Sequence, residues 1–307
     1  MSHRITLTGL VGSHPLGALA SFGLLRRLSE SDSSAQLEFT MEDDWVAVAH
    51  TSEIRDVSGV VEHLCEWVTS GEIERALNWT DGDVRVQPSV FQEAIRAAVA
   101  GNDRDLADCL TALAADGAVD LQKQLVKPSA FYMVSGQQSF LSGLREIVAQ
   151  VRANPRAAFE EALIGPWRYR MQAHSLGWDP RTERLHALRH RAPTAEKPVC
   201  IGGAVLLAFW ALPLFPSVAN GGRVSTTGFT RVGRDQYFNW PIWSVPISLG
   251  ELRSLLHTGP SSWMSADGRR PRRGIAAVYR SRRAEFGQGY AILRTPEVVS
   301  GTVLQGS

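Results

Sequence analysis

Lysine is almost absent from this chain. Of 32 basic side chains only Lys123, Lys127 and Lys197 are lysines, and the other 29 are arginines. Cysteine is as scarce: Cys65, Cys109 and Cys200 are far apart and form no Cys-x-x-Cys pair. That excludes a disulfide framework and a thiolate zinc ribbon, and it fits a reducing compartment. No uninterrupted apolar run reaches the roughly 20 residues of a spanning helix. The stretch from Pro198 to Gly222 has no charge, but Pro213 and Pro216 interrupt it. A buried core helix over Ile201–Leu212 is expected, and no membrane partner. The first residues lack the apolar core of a signal peptide, so the expected location is cytoplasmic.

Signatures of catalysis are also missing. There is no Gly-x-Ser-x-Gly and no Gly-x-x-x-x-Gly-Lys-Ser/Thr. Gly9 and Gly12 stand between a strand and a helix, but position 14 is His14 and the next glycine comes late, at Gly17. They read as a tight turn, not a dinucleotide site. His186 and His190 have helical spacing, with Cys200 beyond them, yet the segment between them lacks the glutamate of a zinc hydrolase. No metal and no cofactor are expected.

What is present is charge, unevenly placed. Residues 1–150 hold 11 basic and 21 acidic side chains, a net of −10, and residues 151–307 hold 21 and 10, a net of +11. The overall net of +1 hides this split. Such asymmetry points to an electrostatic partner for one half, or to attraction between the halves. The basic half narrows to a cluster between Gly268 and Arg283: Arg269, Arg270, Arg272, Arg273, Arg280, Arg282 and Arg283, with no acid among them. Guanidinium forks pair bidentately with phosphate, and such contacts supply most sequence-independent affinity for nucleic acid. Trp263 and Tyr279 lie close by in sequence and are candidates to stack on bases. A second group, Trp167-Arg168-Tyr169-Arg170, interleaves aromatics with arginines, a composition suited to RNA or single-stranded DNA.

The periodicities predict an α+β protein in two parts. An acidic N-terminal α/β domain spans residues 1–125. It opens on a strand at Ile5–Thr8 and a helix begun by Ser13, His14 and Pro15. A hairpin at Gln36–Phe39 and Trp45–Ala49 follows, then helices over Val57–Val68, Phe91–Ala100 and Leu106–Ala115. A basic mixed α+β domain spans residues 126–307 and contains the buried apolar helix. Its expected strands are Phe131–Val134, Val224–Phe229, Tyr237–Ile242, Ile275–Tyr279 and Tyr290–Leu293, with a helix at Leu249–Leu256. The loop Ser135-Gly136-Gln137-Gln138-Ser139 caps a helix from about Leu141.

The order of several blocks resembles CRISPR type I effector proteins, and most closely subtype I-G (formerly I-U). The blocks are Leu7-Thr8-Gly9 with Pro15-Leu16 and Leu24-Leu25-Arg26, then Gly136-Gln137-Gln138-Ser139-Phe140-Leu141, Ala211-Leu212-Pro213-Leu214-Phe215-Pro216, Thr226-Thr227-Gly228-Phe229, Trp240-Pro241-Ile242-Trp243, and Tyr279-Arg280-Ser281-Arg282-Arg283 with Gly287-Gln288-Gly289-Tyr290. They span roughly residues 5–295. The resemblance implies a non-catalytic, large-subunit-like or accessory component of an RNA-guided antiviral surveillance complex. Its implied partners are guide RNA, target DNA and other effector subunits. In such complexes protein groups hold backbone while base pairing reads sequence. The arginine cluster, Arg168 and Arg170 are the expected contacts to phosphate, and Gln137 and Gln138 to base edges or backbone. Two alternatives stay open: a metal-dependent nuclease using carboxylates such as Asp179 or Asp235, and a protein–protein scaffold without nucleic-acid contact.

Overall fold

An apolar helix must find cover on every side, and this fold is arranged around that demand. The computed structural model describes residues 2–134, 138–182, 198–265, 272, 274–286 and 290–301. The chain opens with strand β1 (His3–Val11) and helix α1 (Pro15–Ser31), then the hairpin β2 (Gln36–Met41) and β3 (Trp45–Thr51). Helices α2 (Val57–Thr69), α3 (Glu72–Leu77), α4 (Pro88–Ala100) and α5 (Arg104–Leu113) follow, then a hairpin of β4 (Ala114–Asp120) and β5 (Leu125–Pro128). Next come α6 (Phe140–Ala153), α7 (Pro155–Leu163) and the apolar helix α8 (Gly202–Ala211). The remainder is β6 (Ser217–Asn220), β7 (Arg223–Thr226), β8 (Phe229–Val232), β9 (Asp235–Trp243), β10 (Ile247–Ser248), α9 (Leu249–Thr258), β11 (Ile275–Phe286), β12 (Tyr290–Leu293) and β13 (Glu297–Gly301). The architecture is α+β with antiparallel sheets.

Every residue of α8 is buried. Two glycines make that possible by letting backbones touch. A Cβ on Gly23 of α1 would stand 1.8 Å from the Leu207 carbonyl oxygen, and one on Gly203 would stand 2.6 Å from that of Ala158 in α7. Only residues without side chains permit approaches this close. At the far end of the crossing Arg26, 4% exposed, donates to the Trp210 carbonyl at 3.0 Å and lies over the Trp210 ring at 4.3 Å. A cation at the last turn of a helix satisfies an orphan carbonyl and complements the dipole. Asp105 completes the site, 2.5 Å from Arg26, and Trp210 donates its indole N–H to Glu30 at 2.9 Å.

The first sheet has the order β1-β3-β2-β10, and the second β12-β11-β9-β8 with β13 also on β11. Strand β9 joins them. Trp240 donates its indole N–H to the Gly12 carbonyl at 2.8 Å, and Trp243 donates to the Leu37 carbonyl at 2.7 Å. Trp243 stacks on Phe22 with ring centres 5.5 Å apart. Buried indoles need a partner for their N–H, and here the partners tie distant elements.

The boundary expected between residues 125 and 126 falls inside β5, and one continuous hydrophobic core contains residues from both sides of it. β10, from the second part, forms the edge of the first sheet. Four expected elements differ, and the first is Val224–Phe229, which a turn at Thr227-Gly228 divides between β7 and β8. Phe131–Val134 is buried but is not a strand; Tyr132 N bonds Ser129 O in a turn, and the Met133 carbonyl accepts from Ala291 N. Its apolar run serves the core, where Phe131 meets Phe215, Phe229 and Phe238. The helix expected to reach Ala115 stops at Leu113, because Ala114 and Ala115 pair with Pro128 and Lys127 of β5. The strand expected at Ile275–Tyr279 runs on to Phe286. Among the described residues no helix is long and apolar enough to cross a membrane.

Two predictions test this framework. Gly23→Ala should destabilise the protein by about 1–3 kcal/mol through overpacking, read as a lower urea midpoint. Gly250→Ala, where an added Cβ meets nothing within 4 Å, should change stability by less than about 1 kcal/mol, and upward. The second concerns Asp32, buried at the end of α1, whose carboxylate accepts from Ser34 N at 2.9 Å, Ser34 Oγ at 2.6 Å and Ser52 N at 2.6 Å. Burial pushes its pKa up, but the hydrogen bonds from Ser34 and Ser52 outweigh that and hold it at about 2. A depressed carboxyl pKa stabilises the fold above its unfolded value and loses that contribution as pH falls. Stability should therefore drop between about pH 4 and pH 2, and Asp32→Asn should flatten that part of the pH profile in urea titrations.

Candidate nucleic-acid interface

The arginine cluster divides in the folded chain. Arg269, Arg270 and Arg273 lie outside the described residues, as does Gln137. Arg272 is exposed; its amide bonds the Trp263 carbonyl at 2.9 Å and its Nε bonds the Met264 carbonyl at 3.1 Å. The other three stand on β11. Arg280 bonds Glu297 at 2.5 Å and lies 4.8 Å over the Tyr237 ring. Arg282 bonds Asp235 at 2.9 Å. Arg283 is turned inward: it pairs with Glu285 and donates to the carbonyls of Ala130 at 3.1 Å and Tyr132 at 3.2 Å. The run 268–283 has no acid of its own, yet pairing with β9, β13 and Glu285 brings acids to these arginines. The pairs of Arg280 and Arg282 are exposed and hold little energy, so phosphate can replace their carboxylates. Arg283 instead anchors the 130–132 segment to the second sheet.

The aromatics read as base platforms are not available. Trp263 is fully buried and donates to the Leu255 carbonyl at 2.9 Å. Tyr279 is buried and stacks on Trp240 with centres 5.9 Å apart. Tyr237, beneath Arg280, is a half-buried aromatic on this sheet that sequence reasoning did not single out. Its signal is register: Tyr237 stands directly opposite Arg282.

Elsewhere the basic half keeps its charge open. Among the described residues Arg168, Arg170, Arg223, Arg231, Arg234, Arg253 and Arg272 have no carboxylate within ion-pair distance. In the acidic half Arg4, Arg26, Arg27, Arg75, Arg96 and Arg104 are paired, while Arg55, Arg85 and Arg145 have no carboxylate within ion-pair distance among the described residues. Only Arg152–Glu74 and Arg156–Glu62 join an arginine of the basic half to an acid of the other among the described residues. Arg223 and Arg231 line one groove of about 430 Å³, with Asn220, Ser225, Thr230 and Gln236, and no acid lies on its wall. The β6–β7 hairpin positions Arg223, because Asn220 pairs with it across the tight turn at Gly221 and Gly222, both at positive φ. Gln138 is exposed on a separate cavity of about 470 Å³ at the start of α6.

Two further cavities meet on a rim formed by Ile164, Gly165 and Pro166. One, of about 590 Å³, is lined by Arg168 and Arg170 together with Gln150 and Asn154. The other, of about 560 Å³, is lined by Trp167 and Tyr169 together with His14, Ser13, Thr8 and Asp44. His14 accepts from Gly17 N at 3.4 Å through Nδ1, and its Nε2 stands 3.5 Å from Asp179 Oδ1. Both ring nitrogens are thus held within the protein. Burial, and then the Asp179 charge, raise the Tyr169 pKa.

The carboxylates considered for metal chemistry are far apart in role. Asp179 is wholly buried beneath His14, while Asp235 pairs with Arg282. Among the described residues no three His, Cys, Asp or Glu side chains converge as a metal site. His186 and His190 lie outside the described residues. Burial pushes the Cys109 and Cys200 thiols up to about 12, so neither is a thiolate at neutral pH. Comparison with protein-family models and with curated proteins finds no match.

Arg282 and Arg283, adjacent in sequence, should separate experimentally. Arg283→Ala leaves the Ala130 and Tyr132 carbonyls without their donor and should cost about 1–3 kcal/mol. Arg282→Ala should cost less than about 0.5 kcal/mol. Chemical denaturation of the two variants checks this.

Proposed function

We propose that this protein is a non-catalytic nucleic-acid-binding subunit of a CRISPR type I-like RNA-guided complex. The observation that carries the reading is the open charge of the basic half. Arg168, Arg170, Arg223, Arg231, Arg234, Arg253 and Arg272 keep their guanidinium groups free of carboxylates, whereas Arg152, Arg156, Arg280, Arg282 and Arg283 are paired. A fold that used this charge to clamp its two halves together would join them through many ion pairs. Here α6 and α7 supply the two that cross, and the cluster after Gly268 supplies none among the described residues. Phosphate is the natural complement of arginines presented in this way. The ordered resemblance to subtype I-G proteins supplies the context. In that setting the acidic half faces solvent or a basic neighbouring subunit, and the arginines hold the backbone of guide RNA or target DNA.

The test is a salt titration of DNA and RNA binding by the full chain, by fluorescence anisotropy, against Arg223→Ala/Arg231→Ala/Arg272→Ala. Each lost phosphate contact lowers the slope of log Kobs against log salt by about 0.9 for duplex DNA or about 0.7 for single strands. The triple variant should lose about 2–3 units of slope and bind more weakly at low salt. Unchanged affinity and slope would sink the reading.

A further inference from the structure

The segment 167–170 sorts its side chains by chemistry. Trp167 and Tyr169 line the cavity of about 560 Å³, and Arg168 and Arg170 line its neighbour of about 590 Å³. Tyr169 holds a left-handed backbone (φ +57°) within this segment, and the two cavity walls place an aromatic seat and a basic seat on either side of it. The Ile164–Pro166 rim borders both. Each volume is in the range of about 300–1,000 Å³ typical of small-molecule sites.

The two seats select different groups. On the aromatic side Trp167 stands edge to face with His14, ring centres 5.2 Å apart, and with Tyr169, 6.4 Å apart, and Arg181 lies over the Tyr169 ring at 4.2 Å, so the rings form walls near right angles to one another. Asp44 adds a half-buried carboxylate with no cationic partner among the described residues; it accepts from Ser13 Oγ at 2.6 Å and Trp45 N at 2.6 Å. A carboxylate repels phosphate and accepts from amines. On the basic side Arg168 and Arg170 are exposed. The acids on that wall are occupied: Glu160 bonds Arg156 at 3.5 Å, and Glu161 accepts from the amides of Arg168 at 2.6 Å and Tyr169 at 3.1 Å. One seat therefore takes a flat ring bearing an amine, and the other takes an anion.

The geometry points to a nucleotide-capturing ridge: one unstacked, amino-bearing base of a single strand enters the Trp167–Tyr169–His14 cleft, and the adjoining phosphates rest on Arg168 and Arg170. This rests on the nucleic-acid reading above and specifies its substrate as single-stranded, since a base within a duplex cannot reach such a cleft without leaving the stack. Asp44 makes the seat selective. Cytosine presents an exocyclic amine where thymine presents a carbonyl oxygen.

The experiment measures anisotropy of labelled oligo-dC, oligo-dT and duplex DNA with the full chain. Oligo-dC should bind about tenfold more tightly than oligo-dT. Trp167→Leu should weaken oligo-dC binding about tenfold, the effect of one lost stacking contact, and leave duplex binding unchanged; Trp167→Phe should restore most of it. Arg168→Gln/Arg170→Gln alters exposed side chains only. It should weaken both single strands alike and lower the salt slope by about 1–2 units. Thermal melts confirm that each variant is folded, and the arginine pair keeps the test valid should Trp167→Leu fail to fold. Equal affinity for oligo-dC and oligo-dT, or cleft variants without effect, overturns the ridge. So does displacement of oligo-dC by micromolar nucleoside monophosphates, which would assign the cleft to a free nucleotide. If the Arg223/Arg231/Arg272 variant weakens binding while the cleft variants do not, the ridge alone falls. If no nucleic acid binds, both readings fall.

Discussion

The approach of α1 to α8 at Gly23 governs the rest of the structure. A helix with no polar face has no stable place except the middle of a protein. To occupy it, α8 needs neighbours at backbone contact, and the glycines of α1 and of α8 itself provide them. With α1 and α7 so close, the helix end becomes a buried polar site, and Arg26 closes it through the Trp210 carbonyl and Asp105. Helix α6 covers a further face, where a Cβ on Gly202 would stand 3.0 Å from the Val151 side chain. The β1–α1 turn, which carries His14 and lines the aromatic cleft, is closed by a glycine of its own: a Cβ on Gly17 would stand 2.2 Å from the Val11 carbonyl.

Much of this was legible in the sequence. The apolar helix stood out as a charge-free stretch ended by prolines, and His14-Pro15 marked the start of α1 as the cap and first turn they are. The alternation of aromatic and arginine from Trp167 to Arg170 was visible as well. What stayed hidden was whatever depends on distant partners. Ala114-Ala115-Asp116-Gly117-Ala118 has no β-branched residue to announce a strand; β4 exists because β5 pairs with it. The fate of Arg283 is set by carbonyls more than a hundred residues earlier in the chain. Asp179 beneath His14 carries no local signal at all.

Charge shows the same division between what composition states and what folding decides. The split between the halves was plain arithmetic, but its meaning depended on whether the halves neutralise one another. In the folded protein neutralisation is mostly local. Acids across the second sheet temper the arginines of β11, while those at the β6–β7 hairpin, before β11 and on the 167–170 ridge remain open. Density of arginine along the sequence is therefore a poor guide to where the positive surface lies. The less conspicuous Arg223 and Arg231, which line one groove, are more available than the inward-facing Arg283 of the dense run.

The indole bonds from β9 have a consequence for how the chain comes into being. Trp240 and Gly12 are 228 positions apart, and Trp243 and Leu37 are 206 apart. On a ribosome, β1, β2 and β3 are made long before the strand that joins the sheets, before α8, and before β10 on the edge of β2. The nascent first sheet thus lacks these bonds and keeps an unpaired edge on β2 until residues 206 or more positions downstream have emerged. Long-range closure of this kind is slow and exposes aggregation-prone surface. Production of the protein should therefore depend more on the rate of translation and on holdase chaperones than its buried core alone would suggest.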